Sequence, residues 1–391
     1  MVQPGNPTAK RAPTNAFRAA LAALTTTIAV SIPVFLVGGL AVQISNELRL
    51  TPAGLGLAVS AYFGASALAS VPAGALVERY GAARISRAGI LLSATSLIGV
   101  AVAANALWSL IAILAVGAGA NSMGQLGSNT SLSRHIPARR QGLSFGIKQA
   151  AIPVGTLLAG VSVPTVALTV GWRWAFVLAA LLSMAAIPMI PGEPDHHRRT
   201  GPTGVKQATG ALVVIGAAAA LAAAAAGALG TFLVDSGVAR GMSPAPAGLA
   251  LTLGGAVCLA ARIAGGWQAD LRPDRQVGVI AALLVGGAAG LSLLAATGTA
   301  PMIVGVVLGF GLGWSWPGLL NFAVVRLHPQ APAAATSITQ TGVYAGGCVG
   351  PLGLGTLATA TDYPTMWLVA AVAMLTAAAL MLLGSRLLRR S

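Results

Sequence analysis

The sequence predicts an all-α polytopic membrane protein: twelve spanning helices in two six-helix halves, with both termini in the cytoplasm. Three observations lead there. Hydrophobic residues make up 56% of the 391-residue chain and charged residues only 8%, where a soluble domain carries about 25% charged residues. The apolar residues come in continuous runs of about 20, the length of a spanning helix, and not in the short alternating strands of a β-barrel. The basic residues then fall almost wholly on one side of those runs. Glycine, at 50 residues, supplies the small surfaces that helices packing in lipid require. This composition excludes a cytosolic enzyme, a disulfide-stapled secreted domain and a disordered tail. Cys258 and Cys348 both lie in apolar runs and read as small packing residues.

The spans follow from turn and charge signals taken in order. They are 17–44, 53–76, 85–104, 107–132, 141–169, 172–190, 209–235, 246–269, 276–297, 301–326, 333–360 and 364–385. The first follows Lys10 and Arg11, and its apolar run is too long for a cleaved signal peptide. The alanine stretch 217–226 is weakly hydrophobic per residue but lies between Val213, Val214 and Phe232, so it stays within span seven. Segment 191–208 (PGEPDHHRRTGPTGVKQA) is the longest internal polar interruption. It is read as a cytoplasmic linker between a first half, 1–190, and a second half, 209–391.

With a cytoplasmic N-terminus, 18 of the 23 Lys and Arg residues fall on the cytoplasmic side. Only Arg49, Arg173 and Arg240 fall outside, and Lys148 and Arg262 lie within spans. Such a bias is a topology device. It accounts for the net charge of +15 without nucleic acid.

The halves repeat at an offset of 192 residues. Gly74 meets Gly266, Glu78 meets Asp270, Asn129 meets Asn321, Arg134 meets Arg326 and Pro137 meets Pro329. After a one-residue gap, Gln149 meets Gln340 and Gly155 meets Gly346. Transporters commonly carry such repeats.

After span two the chain reads Gly74-Ala-Leu-Val-Glu78-Arg79-Tyr-Gly81-Ala-Ala-Arg84, with a second copy at Gly266-Trp-Gln-Ala-Asp270-Leu-Arg272. This resembles the loop signature of the major facilitator superfamily. It departs from that signature at Glu78, where Asp is usual, and at Ala82 and Ala83, where basic residues are common. The resemblance implies a secondary transporter whose two bundles rock about a central site. Gly74, Glu78, Arg79, Gly81, Arg84, Gly266 and Asp270 would then form a cytoplasmic latch, the carboxylates acting through charge-assisted bonds near helix ends. The alternative is that these residues only cap helices and enforce topology.

A charge inside a span is costly and marks function. Lys148 and Arg262 each sit about seven residues from the cytoplasmic end of spans five and eight, roughly 10 Å deep at 1.5 Å per residue. No acidic residue lies at that depth. Two such cations suit an anionic substrate such as a carboxylate. The alternatives are that Lys148 snorkels to the interface and that Arg262 braces carbonyls or Asp270. Asp235, near the outer end of span seven, is the one carboxylate within a span and the candidate for proton coupling if buried; the alternative is that it simply faces water.

Polar residues in helical register add candidates. Span four carries Asn121, Gln125 and Asn129; span two carries Tyr62, Ser66 and Ser70; span eleven carries Gln340 and Tyr344. Tyr62, Asn121, Gln125, Gln149, Gln340 and Tyr344 are expected to bind substrate, with Trp314 and Trp316 as an apolar or stacking wall. Interhelical hydrogen bonding is the competing reading, favoured for Asn129 and Asn321. Trp172, Trp174 and Trp367 read as interface anchors.

Other motifs lead nowhere. Gly142-Leu-Ser-Phe-Gly146 matches a hydrolase pattern that needs a strand–turn–helix context, and here it opens a spanning helix. No phosphate loop is present to drive pumping with ATP. Drug–proton antiporters of the superfamily usually carry an arginine where Ile113 stands, and their span-five signature is poorly matched at Gln149-Ala-Ala-Ile-Pro153-Val-Gly155. The expected function is therefore transport of a small organic anion across the cell membrane, coupled to protons, by a monomer with no cofactor, metal or enzymatic activity. The alternative is a proton-coupled efflux carrier for drugs or amphiphiles.

Overall fold

A computed structural model describes residues 12–49, 52–167, 169–192, 205–242, 244–272 and 275–388. The described residues are helical rods and short connections, with no strand. We number the rods α1 (Ala12–Gly39), α2 (Pro52–Tyr80), α3 (Ala82–Ala103), α4 (Leu107–Gly117 and Gly119–His135), α5 (Gln141–Gln149 and Ala151–Ser162) and α6 (Trp172–Ala185). The second half repeats the plan as α7 (Val205–Ala239), α8 (Pro244–Leu271), α9 (Gln276–Ala295), α10 (Thr299–Leu308 and Pro317–Leu327), α11 (Pro332–Ala360) and α12 (Tyr363–Leu388). All twelve expected spans coincide with a rod. A further helix, Ala41–Leu48, follows α1.

Among the described residues, nine helical stretches are long and apolar enough to cross a membrane. Rods α5, α8 and α11 are not among them. They are the rods that carry Lys148, Arg262 and the polar run from Thr336 to Tyr344.

Two rods are broken at equivalent places. α4 breaks at Ala118, and α10 passes through a π-turn at Gly309–Gly313 before resuming at Pro317. Gly81 joins α2 to α3 in a single residue at φ 89°, a left-handed conformation that disfavours any residue with a Cβ.

The alanine stretch of α7 has a packing reason. Ala218, Ala219, Ala222, Ala225 and Ala226 are fully buried. Gly342, Gly346 and Gly350 of α11 lie against the backbones of Gly216, Ala220 and Ala224, so that a Cβ on any of them would strike main chain. Small residues at i, i+4 and i+8 on both helices allow that approach, and dispersion between backbones holds it.

We call the end that carries the α2–α3, α4–α5, α8–α9 and α10–α11 connections the basic end. The opposite end holds Arg173 and Arg240. Arg173 donates to the Ala104 carbonyl at the end of α3 (2.9 Å) and pairs with Glu47 (2.8 Å). Arg240 donates to Leu294 and Ala296 at the end of α9 (2.7 and 3.1 Å). Both arginines therefore cap helix C-termini, where a cation offsets the negative end of the helix dipole.

Candidate functional site

The halves meet at the basic end through two related contacts. α5 begins after Arg140, which offers its N-terminus no side-chain cap. Asp270, at the end of α8, supplies that cap from the other half. Its Oδ1 accepts from the Gly142 N–H (2.6 Å) and its Oδ2 from the Leu143 N–H (2.9 Å). α11 likewise begins without a side-chain cap of its own, and Glu78, at the end of α2, accepts from the Ala333 N–H at 3.0 Å. Each carboxylate satisfies orphan N–H groups at the positive end of a helix across the interface. Such charge-assisted bonds are about twice as strong as neutral ones.

Glycines let these ends close. A Cβ on Gly266 would lie 2.5 Å from the Gly142 carbonyl oxygen and 3.0 Å from the Gly146 Cα. One on Gly74 would lie 2.9 Å from the Ser337 Cβ. Gly142 and Gly146 are thus a small-xxx-small packing pair. Glu78 has Arg134 at 3.9 Å, and Arg79 lies over the Tyr80 ring, 5.2 Å from its centroid. Arg84 sits in the first turn of α3.

Beyond these two contacts lies a polar centre. Lys148 is fully buried. Its ammonium donates to Gln125 Oε1 (2.7 Å), Asn129 Oδ1 (2.6 Å) and the Gln125 carbonyl (3.2 Å). Three neutral acceptors satisfy its three donors, and no carboxylate pairs with it among the described residues. It does not snorkel. Arg262 is 2% exposed. Its Nε and Nη2 donate to the Trp314 carbonyl (3.2 and 2.9 Å), and its Nη1 donates to the Gln149 carbonyl of the other half. Arg262 therefore does brace carbonyls, and Asp270 is not its partner.

The remaining candidates divide. Tyr62 donates to the Val30 carbonyl at 2.7 Å, and Ser66, Ser70 and Ser122 bond among α2 and α4. That stripe joins helices. Other buried polar atoms of these rods have no hydrogen-bond partner, among them Asn121 Oδ1, Asn129 Nδ2, Gln149 Oε1, Trp316 Nε1 and the Tyr344 hydroxyl. The Tyr344 side chain lies beside Gln340 and Ser122, with Phe63 6.3 Å away ring to ring. Trp314 packs on Phe310 with centroids 5.6 Å apart. Asp235 lies on α7, with its side chain outside the described residues.

Two expected interface anchors are buried instead. Trp367 is inaccessible and donates to Ser236 Oγ at 2.9 Å. Trp172 donates to Glu47 at 2.6 Å and is 5% exposed. Both find a hydrogen-bond partner inside the protein; of the three, Trp174 is the exposed one. A separate crevice of about 420 Å³ opens between α8, α9 and α10, lined by Trp267, Leu271, Leu283 and Leu312, away from the polar centre.

Residues 19–351 match the family model of the Major Facilitator Superfamily. None of the curated proteins compared with the chain matches it in sequence. Among solved structures, the chain is similar to the proton:xylose symporter XylE bound to 6-bromo-6-deoxy-D-glucose, at TM-score 0.77 and 16% identity over 95% of this chain and 96% of that one. It is similar to the E. coli fucose:proton symporter FucP, at TM-score 0.71 and 15% identity over 94% and 98%. It is also similar to the human organic anion transporter MFSD10 (TETRAN), at TM-score 0.69 and 17% identity over 98% and 100%. These likenesses are of fold.

Proposed function

The chain belongs to the major facilitator superfamily, and on that premise we propose that it is a secondary active transporter of a small organic anion, coupled to protons, working by alternating access. Membership makes it a multi-pass membrane transporter rather than an enzyme.

One observation carries the anion. Lys148 and Arg262 are two buried cations near the inter-half contact, and among the described residues neutral oxygens receive them. Charge in a low-dielectric interior interacts strongly, so a carboxylate entering beside Lys148 would offset charge that the protein leaves uncompensated. Asn121, Gln149, Trp316 and Tyr344 offer the unpaired acceptors and donors that orient a polar solute. Gln125 and Gln340 flank them, and Trp314 closes one wall. Asp235 is the proposed proton carrier.

The latch supplies the gate. With Glu78 and Asp270 seated, the basic end is shut. Releasing both caps lets the halves rock about the centre. The excess of Lys and Arg at this end supports a cytoplasmic basic end in the cell membrane. The join between halves is placed at 191–208, of which 193–204 lie outside the described residues. One chain holds both halves, so each copy works alone, with substrate, protons and the bilayer as its partners.

The test is a thermal-shift screen of purified protein against organic acids and lipophilic cations at two pH values, since a bound ligand stabilises by mass action. Stabilisation by one class of acid, lost in Lys148→Ala, is the expected result. Stabilisation by lipophilic cations alone, unchanged in Lys148→Ala, would replace the anion reading with efflux of amphiphiles.

A further inference from the structure

Pro153 and Arg262, we propose, form a lock between the halves at the polar centre, engaged only while the basic end is shut. The inference rests on the alternating-access reading above. In an α-helix the Gln149 carbonyl would accept from the N–H of residue 153. That residue is proline, which has no N–H to give. α5 is broken at this point, between Gln149 and Ala151. The neighbouring bonds survive on either side, with Ala150 N–H donating to Gly146 and Val154 N–H to Ala150. The Gln149 carbonyl is thus left open by the sequence, and Arg262 Nη1 of α8 takes it.

The guanidinium is anchored in its own half by two bonds to the Trp314 carbonyl, in the turn that interrupts α10. A planar fork can serve both carbonyls at once, and an ammonium cannot do so with the same geometry. The crossing bond also needs the backbones in contact. A Cβ on Gly146 would strike the Arg262 carbonyl and lie 3.1 Å from the Gly266 Cα. When α5 and α8 part, the bond breaks, and proline prevents α5 from closing the gap itself. Pro153 therefore acts as a positioning residue: it reserves an acceptor for the opposite half.

The test uses the full chain in nanodiscs, with spin labels at Arg139 and Gln330, exposed positions in the α4–α5 and α10–α11 connections. The distance distribution reads the ratio of open to closed basic ends. Arg262→Met should raise that ratio roughly tenfold, the worth of a hydrogen bond to a charged group. Pro153→Ala should raise it in the same direction, because the new N–H competes for the Gln149 carbonyl. The double variant should exceed Arg262→Met by little, since both act on one bond. Variants that stay folded and keep the parent's ratio overturn the lock. If Arg262→Met does not fold, Pro153→Ala decides alone, as it removes no charge. A parent with one fixed distance at every pH and with every solute overturns the alternating-access reading, and the lock with it.

Discussion

Replacing Gly266 by alanine should open the basic end without touching a charge. The added Cβ would lie 2.5 Å from the Gly142 carbonyl oxygen, 3.0 Å from the Gly146 Cα and 3.1 Å from the Gly142 carbonyl carbon. All three are backbone atoms or lie on it, so no rotamer change relieves the contact. α8 must move away from α5. Overpacking of this kind costs about 1–3 kcal/mol, and the cost falls only on the state in which the two helices touch. A differential of that size shifts a two-state equilibrium by about 5- to 150-fold. The reporter is a cysteine at Ser337, 3% exposed at the α2–α11 contact, in a chain whose Cys258 and Cys348 are replaced by serine. A bulky maleimide reaches it only when the basic end opens. Labelling in Gly266→Ala should be at least fivefold faster than in the parent. An unchanged rate in a variant that unfolds at the parent's temperature would refute the reasoning that this contact defines the closed end.

Four further outcomes are expected. Asp270→Ala strands the Gly142 and Leu143 N–H groups, and Glu78→Ala strands one at Ala333. Both should speed the same labelling, Asp270→Ala more, at about 1–3 kcal/mol per group left unpaired. Gly346→Ala drives a Cβ into the Ala220 carbonyl and should lower thermal stability by about 1–3 kcal/mol. Gly278→Ala in α9 meets nothing within 4 Å and should be neutral or stabilising by up to about 1 kcal/mol through helix propensity. Burial lowers the pKa of His328, which lies in the α10–α11 connection, below its ordinary 6.5. The folded protein then disfavours its charged form, so this contribution to stability is present above pH 6.5 and lost as pH falls below it. Thermal unfolding from pH 7.5 to 5 should show a drop that is smaller in His328→Gln; equal drops would exclude His328 as its source.

Much of the architecture was legible because its causes are local. A run of 20 apolar residues must become a helix in lipid, where every backbone group needs an internal partner. Charge bias and the 192-residue repeat needed only counting, and Lys148 and Arg262 stand out in any apolar run. Their partners were another matter. Gln125 and Asn129 sit 23 and 19 positions from Lys148, in register on α4 but without any local sign of their role. The Gln149 carbonyl is invisible as an acceptor until α8 lies against α5. Gly142-x-x-x-Gly146 matched a packing motif as well as a hydrolase pattern, and only the crossing with Gly266 shows which one applies. Trp367 reads as an interface anchor by position and is buried because Ser236 stands opposite.

By itself, then, the sequence determined the rods and their number, and it singled out Glu78 and Asp270 as the carboxylates to watch. Tertiary structure alone decided what those carboxylates hold: N–H groups at the starts of α5 and α11, on the opposite half. It also decided that the buried cations are received by neutral oxygens. The physical reason is range. Hydropathy and backbone hydrogen bonding are settled within a few residues of chain, whereas a cap or an ion's partner more than 100 residues away exists only once the helices have packed.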